Sequence, residues 1–278
     1  PFEIEHCTPD YNLYNTWVQN NISTDKKEFQ YYTDYSIGFT TRGCFRQCSF
    51  CVNRKYTRVE RHSPVDEFVD NNKKYICLLD DNVLGFPQWE EIFNQLNNTN
   101  KRFQFKQGMD MRLMTEHKAE IISNSKYIGD FIFAFDHIKD KELIAKKLKI
   151  WRKYNQKTTK VYVLCGYEKQ DVNDIIDTFE RIKLLMQFGC LPYIMRHKNY
   201  LESDLKGMYI NIAAWCNQPN FFKKKSFREW CMADAERKTN PEKCSTYRYL
   251  MEFERQYPKI AKQYFDLKFS DLNSYALK

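Results

Sequence analysis

The chain has 278 residues, of which 42% are hydrophobic and 16% aromatic, so it can bury a sizeable core and is not a disordered chain. Its length suits one large α/β domain, or one domain with a small appendage. A formal net charge of +8 permits attraction to nucleic acid or another polyanion, although a lysine-rich solvated surface produces the same excess.

The apolar runs and the cysteines indicate the cellular compartment in which the protein is expected. No apolar run approaches the roughly 18 residues of a membrane helix, and no signal peptide is visible, so we expect no membrane partner. There are ten cysteines, three of them within eight residues, which favours thiolate–metal chemistry in a reducing cytoplasm over a disulfide scaffold. The chain begins at Pro1 rather than Met, from which we expect that upstream residues have been removed.

Secondary structure is predicted to alternate between strands and helices. Residues 1–34 are polar and irregular, and we expect a lead-in or linker there. The predicted strands are 36–41, 75–79, 103–106, 131–135, 160–164 and 191–195, and the main predicted helices are 89–96, 115–123, 141–154 and 171–188. This alternation predicts an α/β fold in which residues 35–200 form a partial (β/α)6 TIM-type barrel with parallel strands. Residues 201–278 depart from the alternation and are predicted to be a mostly helical C-terminal extension.

The loop after the first predicted strand carries Cys44, Cys48 and Cys51, at spacings of four and three residues. Three thiolates at these spacings can wrap one metal cluster from a single loop. Iron–sulfur clusters are usually held by four cysteines, so three leave one iron with an open coordination position. An open position distinguishes a catalytic metal from a closed structural one.

This pattern, Cys-x3-Cys-x-aromatic-Cys after a first strand and preceded by Thr41-Arg42-Gly43, resembles the signature of the radical S-adenosylmethionine (radical SAM) superfamily. The resemblance implies a 4Fe-4S cluster whose open iron is chelated by SAM. It also implies an external electron donor of the flavodoxin or ferredoxin type. One electron would cleave SAM to a 5′-deoxyadenosyl radical, which would abstract hydrogen from an unidentified substrate. By the same resemblance Phe50 lies against the adenine.

The alternative interpretation is a zinc-binding, nucleic-acid-binding protein without enzymatic activity. His62 or Cys77 would then be the fourth ligand, although zinc modules usually carry paired ligand sets. An electron-transfer iron–sulfur protein is a third interpretation, which the open three-cysteine loop disfavours.

Polar residues follow the predicted strands, where α/β folds place their sites. Asp80, Asp81 and Asn82 follow the second strand. Radical SAM enzymes bind the SAM amino group there, often through glycines and a glutamate, and this sequence departs from that pattern. A carboxylate still accepts from an ammonium group, although an acidic loop or helix cap is the structural alternative.

Later strand ends add weaker candidates. Asp110 and Arg112 follow the third strand, where Arg112 could engage the SAM carboxylate and Asp110 a ribose hydroxyl or the substrate, unless the two form a plain ion pair. Asp136 ends the fourth strand and resembles the acidic residue that many radical SAM proteins place near the ribose. Gly166 follows the fifth strand and would allow a ligand to approach the backbone closely.

Several stretches resemble one largely uncharacterised bacterial and viral branch of the superfamily, of the cobalamin-binding type. They are residues 4–6, 8–14, 38–44, 79–82 and 107–112. The resemblance implies that this chain is the catalytic part and that an upstream Rossmann-like region is absent from it. It also raises cobalamin as a cofactor, but no residue here points to cobalamin specifically.

The C-terminal extension carries a second cysteine set, Cys216, Cys231 and Cys244. These residues could hold an auxiliary Fe-S cluster, with Cys190 as a fourth ligand, but their long spacings favour buried thiols. Residues 221–228 interleave aromatic and basic side chains, which suits single-stranded nucleic acid, or a helix with a solvated basic side. The basic charge therefore inclines the substrate prediction towards a nucleotide or nucleic acid.

Overall fold

The computed structural model describes residues 4–22, 29–233, 235–236 and 240–275, with only the main chain of Glu5. The chain divides into two compact units, Pro1–Ile132 and Phe133–Lys278. Parts of the lead-in expected over 1–34 and of the extension expected over 201–278 lie outside the described residues. Over the described ranges, no helix combines the length and apolar character required to cross a bilayer.

The first unit is built around a parallel three-stranded sheet. Its elements are α1 (Asn15–Asn21), α2 (Gln30–Asp34), β1 (Tyr35–Gly38), β2 (Thr41–Arg42), β3 (Glu60–Arg61), α3 (Val65–Phe68), β4 (Tyr75–Leu78), α4 (Trp89–Asn98), β5 (Arg102–Phe105) and α5 (Glu116–Asn124). The sheet order is β1-β4-β5, with β4 in the centre, while β2 and β3 form a separate antiparallel pair. The central position of β4 follows from its apolar sequence, because Ile76 and Leu78 are fully buried.

The core of this unit lies between β5 and α4. Phe103 and Phe105 are two positions apart on β5 and therefore point to the same face. Both rings contact Phe93 of α4, at centroid distances of 5.8 and 5.5 Å, and all three side chains are almost fully buried. Aromatic contacts of this kind add about 0.5–1.5 kcal/mol each beyond area burial. This packing makes the carboxyl ends of β4 and β5 a rigid base for the loops that follow them.

The second unit contains a three-stranded sheet, with helices between its strands and after them. β6 (Phe131–Ala134) crosses the boundary between the units, and the remaining elements are α6 (Lys141–Tyr154), β7 (Thr159–Cys165), α7 (Val172–Gln187), β8 (Leu191–Arg196), α8 (Lys206–Cys216), α9 (Pro219–Phe222), α10 (Phe227–Ala233), α11 (Ser245–Gln256), α12 (Pro258–Tyr264) and α13 (Phe269–Leu272). The sheet order is β6-β7-β8, and β7 pairs with β8 in parallel from Lys160↔Leu191 to Cys165↔Arg196. An aromatic cluster of Phe179, Phe227 and Phe265 joins α7 to the later helices.

The protein is α/β, but the partial (β/α)6 barrel expected over residues 35–200 is wrong. In the described residues the strands form two three-stranded sheets and one two-stranded sheet, and none of them closes. The six predicted strands occur close to their expected positions, but barrel closure requires every strand to pair with both neighbours. After β5 the parallel pairing is reduced to a single bridge, Phe103↔Tyr127, and Tyr127 belongs to no strand.

Candidate functional site

The cysteines lie in a long loop, residues 43–59, which a two-residue antiparallel ladder closes at its base. In this ladder Thr41 pairs with Arg61 and Arg42 with Glu60. Gly43 opens the loop with a φ of +92°, and a Cβ atom at this position would lie 2.4 Å from the carbonyl oxygen of Arg58. Only glycine therefore fits where the chain turns out of β2.

Within the loop, main-chain amides point at two of the three sulfur atoms. Arg46 N lies 3.5 Å from Cys44 Sγ, and Asn53 N lies 3.4 Å from Cys51 Sγ. The amide of Cys51 donates to the carbonyl of Cys48 at 2.9 Å, which forms a tight turn between these two residues. All three thiols are partly exposed and none is in a disulfide. Amide donors to sulfur are a feature that tunes iron–sulfur sites.

Asp80 follows β4 and anchors the start of the loop. Its carboxylate accepts from the main-chain amide and hydroxyl of Thr40 and from the same two groups of Thr41, at distances from 2.6 to 3.2 Å. Burial raises the pKa of Asp80 above its ordinary value, while the hydrogen bonds from Thr40 and Thr41 oppose that shift. The carboxylate of Asp80 therefore binds groups of the protein itself and positions the segment that leads into the cysteine loop.

The next two residues hold the loop further along. Asp81 accepts from the amide of Gly43 at 2.9 Å and from Asn53 Nδ2 at 2.5 Å. Asn82 is 3% exposed, and its Nδ2 lies 3.3 Å from Cys44 Sγ. The side-chain Oδ1 of Asn82 is buried and has no hydrogen-bond partner among the residues that the structure describes. Three consecutive residues after β4 thus contact successive parts of the cysteine loop.

Asp110 joins the segment after β5 to the same loop. Its carboxylate accepts from Arg46 Nε at 2.7 Å and from Arg112 Nε at 2.8 Å. The pairing of Asp110 with Arg112 is thus present, but Arg46, between Cys44 and Cys48, was not among the predicted site residues. The sequence signal that could have identified Arg46 is a basic residue between two of the clustered cysteines, combined with an acidic residue, Asp110, at the end of a nearby strand. Two guanidinium groups share one carboxylate, which places Arg46 and Arg112 side by side at the cysteine loop.

Phe50, the aromatic residue of the cysteine pattern, is partly exposed, as is Cys51 beside it. The other aromatic side chain of this segment, Phe45, has the guanidinium carbon of Arg46 4.9 Å from its ring centroid. The predicted adenine contact of Phe50 stays a prediction.

The two remaining candidates, Asp136 and Gly166, belong to the second unit. Asp136 lines a cavity of about 120 Å³, together with Asp174 and Arg181. Arg181 is 2% exposed and donates to the carbonyls of Asp136 and Leu164, at 2.7 and 2.8 Å. This cavity is a polar recess at the ends of β6 and β7, as expected for strand ends.

Gly166 has a local packing role in the second unit. Its φ is +68°, and a Cβ there would lie 2.8 Å from Tyr200 Cβ. Its amide donates to Asp174 at 2.7 Å, and the hydroxyl of Tyr209 donates to the same carboxylate at 2.9 Å. Burial raises the pKa of Asp174, and these two hydrogen bonds oppose the shift. The close approach that glycine allows here is made by the protein's own chain.

The second cysteine set consists of core residues. Cys216, Cys231 and Cys244 are at most 3% exposed. Burial raises the pKa of Cys216 and of Cys231, which disfavours the thiolate form that a metal requires. Cys244 Sγ contacts the hydroxyl of Thr246 at 2.9 Å.

The segment 221–228 does not present a row of aromatic rings. Phe222 and Phe227 are fully buried, and Phe221 is 46% exposed. Arg228 pairs with Glu254 and Asp266. The interleaved pattern therefore arises from core packing by alternate aromatic residues.

The proposed fourth zinc ligands contact other groups. His62 stacks on His6 with a centroid distance of 4.7 Å and contacts Ser63 Oγ through Nδ1. Cys77 lies inside β4, where burial raises its pKa to about 11. Over the residues that the structure describes, no group of three or more His, Cys, Asp or Glu side chains is arranged to hold a metal ion.

No protein-family model matches the sequence, and no curated protein matches it.

Proposed function

We propose that the chain is a radical SAM enzyme in which Cys44, Cys48 and Cys51 hold a 4Fe-4S cluster. One observation supports this proposal: three partly exposed thiols share a loop that three consecutive residues hold. Asp80 binds the amide of Thr41 just before the loop, Asp81 binds the amide of Gly43, and Asn82 contacts the sulfur of Cys44. A loop that is anchored at its base but exposes its thiols suits a metal group with one open position.

The donor set of the loop fits such a cluster. Thiolates are its usual ligands, and Cys44 and Cys51 already accept hydrogen bonds from main-chain amides. Asn82 Nδ2 adds a side-chain donor, 3.3 Å from Cys44 Sγ. The three thiols are not grouped around a metal position in the described residues, so binding a cluster would require some of them to change rotamer, a motion of picoseconds to nanoseconds for accessible side chains.

When bound, the cluster would supply the one electron that cleaves SAM to a 5′-deoxyadenosyl radical. The chain's own residues would orient the cysteine loop and attract SAM. Asp80 and Asp81 hold the loop, and the guanidinium groups of Arg46 and Arg112, which Asp110 positions, would attract the carboxylate of SAM. An external electron donor of the flavodoxin or ferredoxin type would be required.

The substrate class is supported only by charge. The excess of eight positive charges favours a nucleotide or nucleic acid, by long-range attraction. A cytoplasmic location is supported by the ten cysteines, none of which is in a disulfide.

The experiment is anaerobic purification followed by reconstitution with iron and sulfide. The protein should turn brown and should release 5′-deoxyadenosine from SAM when a reductant is added. Cys48→Ala should abolish both properties, whereas Cys216→Ala, which changes a buried thiol of the second set, should retain both. A colourless protein with stoichiometric zinc would support the zinc-binding alternative. SAM cleavage by Cys48→Ala would refute the assignment of the loop.

A further inference from the structure

Asn82 is confined beside one sulfur atom of the loop. The side chain is 3% exposed, and its Nδ2 lies 3.3 Å from Cys44 Sγ. Its own carbonyl accepts from the amide of Gly85 at 2.9 Å, which fixes the backbone. A Cβ atom on Gly85 would lie 3.3 Å from Asn82 Nδ2 and 2.8 Å from the ring of Phe45, so glycine suits the position beside the amide.

The orientation of the amide has a chemical reason. A metal-bound thiolate carries lone pairs and no hydrogen, so it can only accept, and the nitrogen end of the amide must face it. The other end, Oδ1, is then left buried without a donor, which is unfavourable on its own. The favourable contact to sulfur is therefore the interaction that explains this arrangement.

We propose that Asn82 is a positioning residue that acts through Cys44 and raises the reduction potential of the cluster. This inference rests on the proposed function. Reduction adds one electron, supplied by the external donor, and increases the negative charge on the sulfur ligands. A hydrogen bond to Cys44 Sγ stabilises that charge, and hydrogen bonds to sulfur are among the factors that set cluster potentials.

The test is a redox titration of the reconstituted protein without SAM, followed by electron paramagnetic resonance. Asn82→Leu keeps the shape of the side chain and removes the donor. We expect the one-electron reduction equilibrium to shift about tenfold towards the oxidised form, which corresponds to about 59 mV. Asn82→Asp replaces the donor by a negative charge and should shift it further in the same direction.

The matched control is Asn211→Leu. Asn211 is 1% exposed, and its Nδ2 lies 3.8 Å from the sulfur of Cys231, in the second cysteine set. This variant removes a buried asparagine beside a different sulfur and should leave the potential unchanged.

A potential in Asn82→Leu equal to that of the wild type would overturn the inference. So would loss of the cluster from both Asn82 variants with a native circular dichroism spectrum, because Asn82 would then hold the cluster rather than tune it. If the wild type itself takes up no cluster, the proposed function fails, and the inference fails with it.

Discussion

The carboxylate of Asp110 accepts a hydrogen bond from Arg46 Nε at 2.7 Å and so ties the segment after β5 to the middle of the cysteine loop. Asp110 also accepts from Arg112, and its side chain is only 7% exposed. Asp110 therefore pairs with two arginines, whereas Arg46 pairs with Asp110. Removing the acid and removing one arginine consequently have different effects.

This asymmetry predicts unequal losses of stability. Asp110→Ala leaves two partly buried guanidinium groups without their acid and should lower the free energy of unfolding by roughly 2–3 kcal/mol. Arg46→Ala leaves Asp110 paired with Arg112 and should lower it by about 1 kcal/mol. Urea denaturation followed by circular dichroism measures both. Equal losses would show that Arg112 does not compensate for Arg46.

The turn at Gly43 predicts a steric effect. In Gly43→Ala the new methyl group would lie 2.4 Å from the carbonyl oxygen of Arg58, at a φ of +92°. Gly129→Ala is a matched control, because Gly129 has a φ of +74° but no neighbouring atom nearer than 3.7 Å. Both variants incur backbone strain of about 1 kcal/mol, and only Gly43→Ala adds a clash.

We therefore expect Gly43→Ala to lose at least ~1 kcal/mol more unfolding free energy than Gly129→Ala. Iron content after reconstitution should fall for Gly43→Ala alone. Equal effects of the two substitutions on both measurements would contradict the loop geometry.

Exposure divides the cysteines into two reactivity classes. Cys44, Cys48 and Cys51 are partly exposed. Cys77 and Cys165 are buried, and burial raises their pKa values to about 11 and about 12. Brief treatment of the metal-free native protein with iodoacetamide at neutral pH should modify the loop cysteines and spare the buried pair, because the thiolate is the nucleophile. Peptide mass spectrometry reads out each site, and the same reaction in urea should label all five.

The acid stability of the second unit should depend on Glu180. Burial raises the pKa of Glu180, but hydrogen bonds from Lys141 and Tyr264 lower it more, so that the net value lies below the ordinary 4.5. A carboxyl group with a depressed folded pKa stabilises the protein above its unfolded pKa, and this contribution is lost as pH falls through the folded value.

The difference in unfolding free energy between wild type and Glu180→Gln should therefore be largest at neutral pH and shrink below about pH 4.5. Tyr264→Phe removes one of the two donors and should give a smaller difference with the same pH dependence. A difference that does not change between neutral and acid pH would exclude this carboxylate as the cause.

The positions of the strands were predictable, but their pairing was not. The apolar run 75–79 gave β4 to within one residue, because burial on both faces requires such a run. Whether β5 pairs onward depends on contacts made by Tyr127, which lies outside every strand and carries no periodic signal. The order of the elements predicted a barrel, and the prediction is wrong because strand pairing does not continue beyond β5 except for the bridge Phe103↔Tyr127.

For the candidate site, the sequence indicated which segments carry candidate residues, but it did not indicate the hydrogen-bond partners of each residue. Asp80, Asp81 and Asn82 lie beside the cysteine loop, while their predicted contact with SAM stays a prediction. Their partners include the main-chain amides of Thr41 and Gly43, and a main-chain amide is the same in every residue except proline. The sequence therefore does not indicate which main-chain amide will donate to a given carboxylate.

The side chains that hold the loop follow their partners along the chain by 28 to 64 positions. During translation the three thiols consequently leave the ribosome well before the side chains that will fix them. Until β4 has been synthesised and has joined β1, the segment 43–59 lacks the contacts that give it this conformation. Any metal-delivery reaction that depends on that conformation must therefore come late in the maturation of the protein.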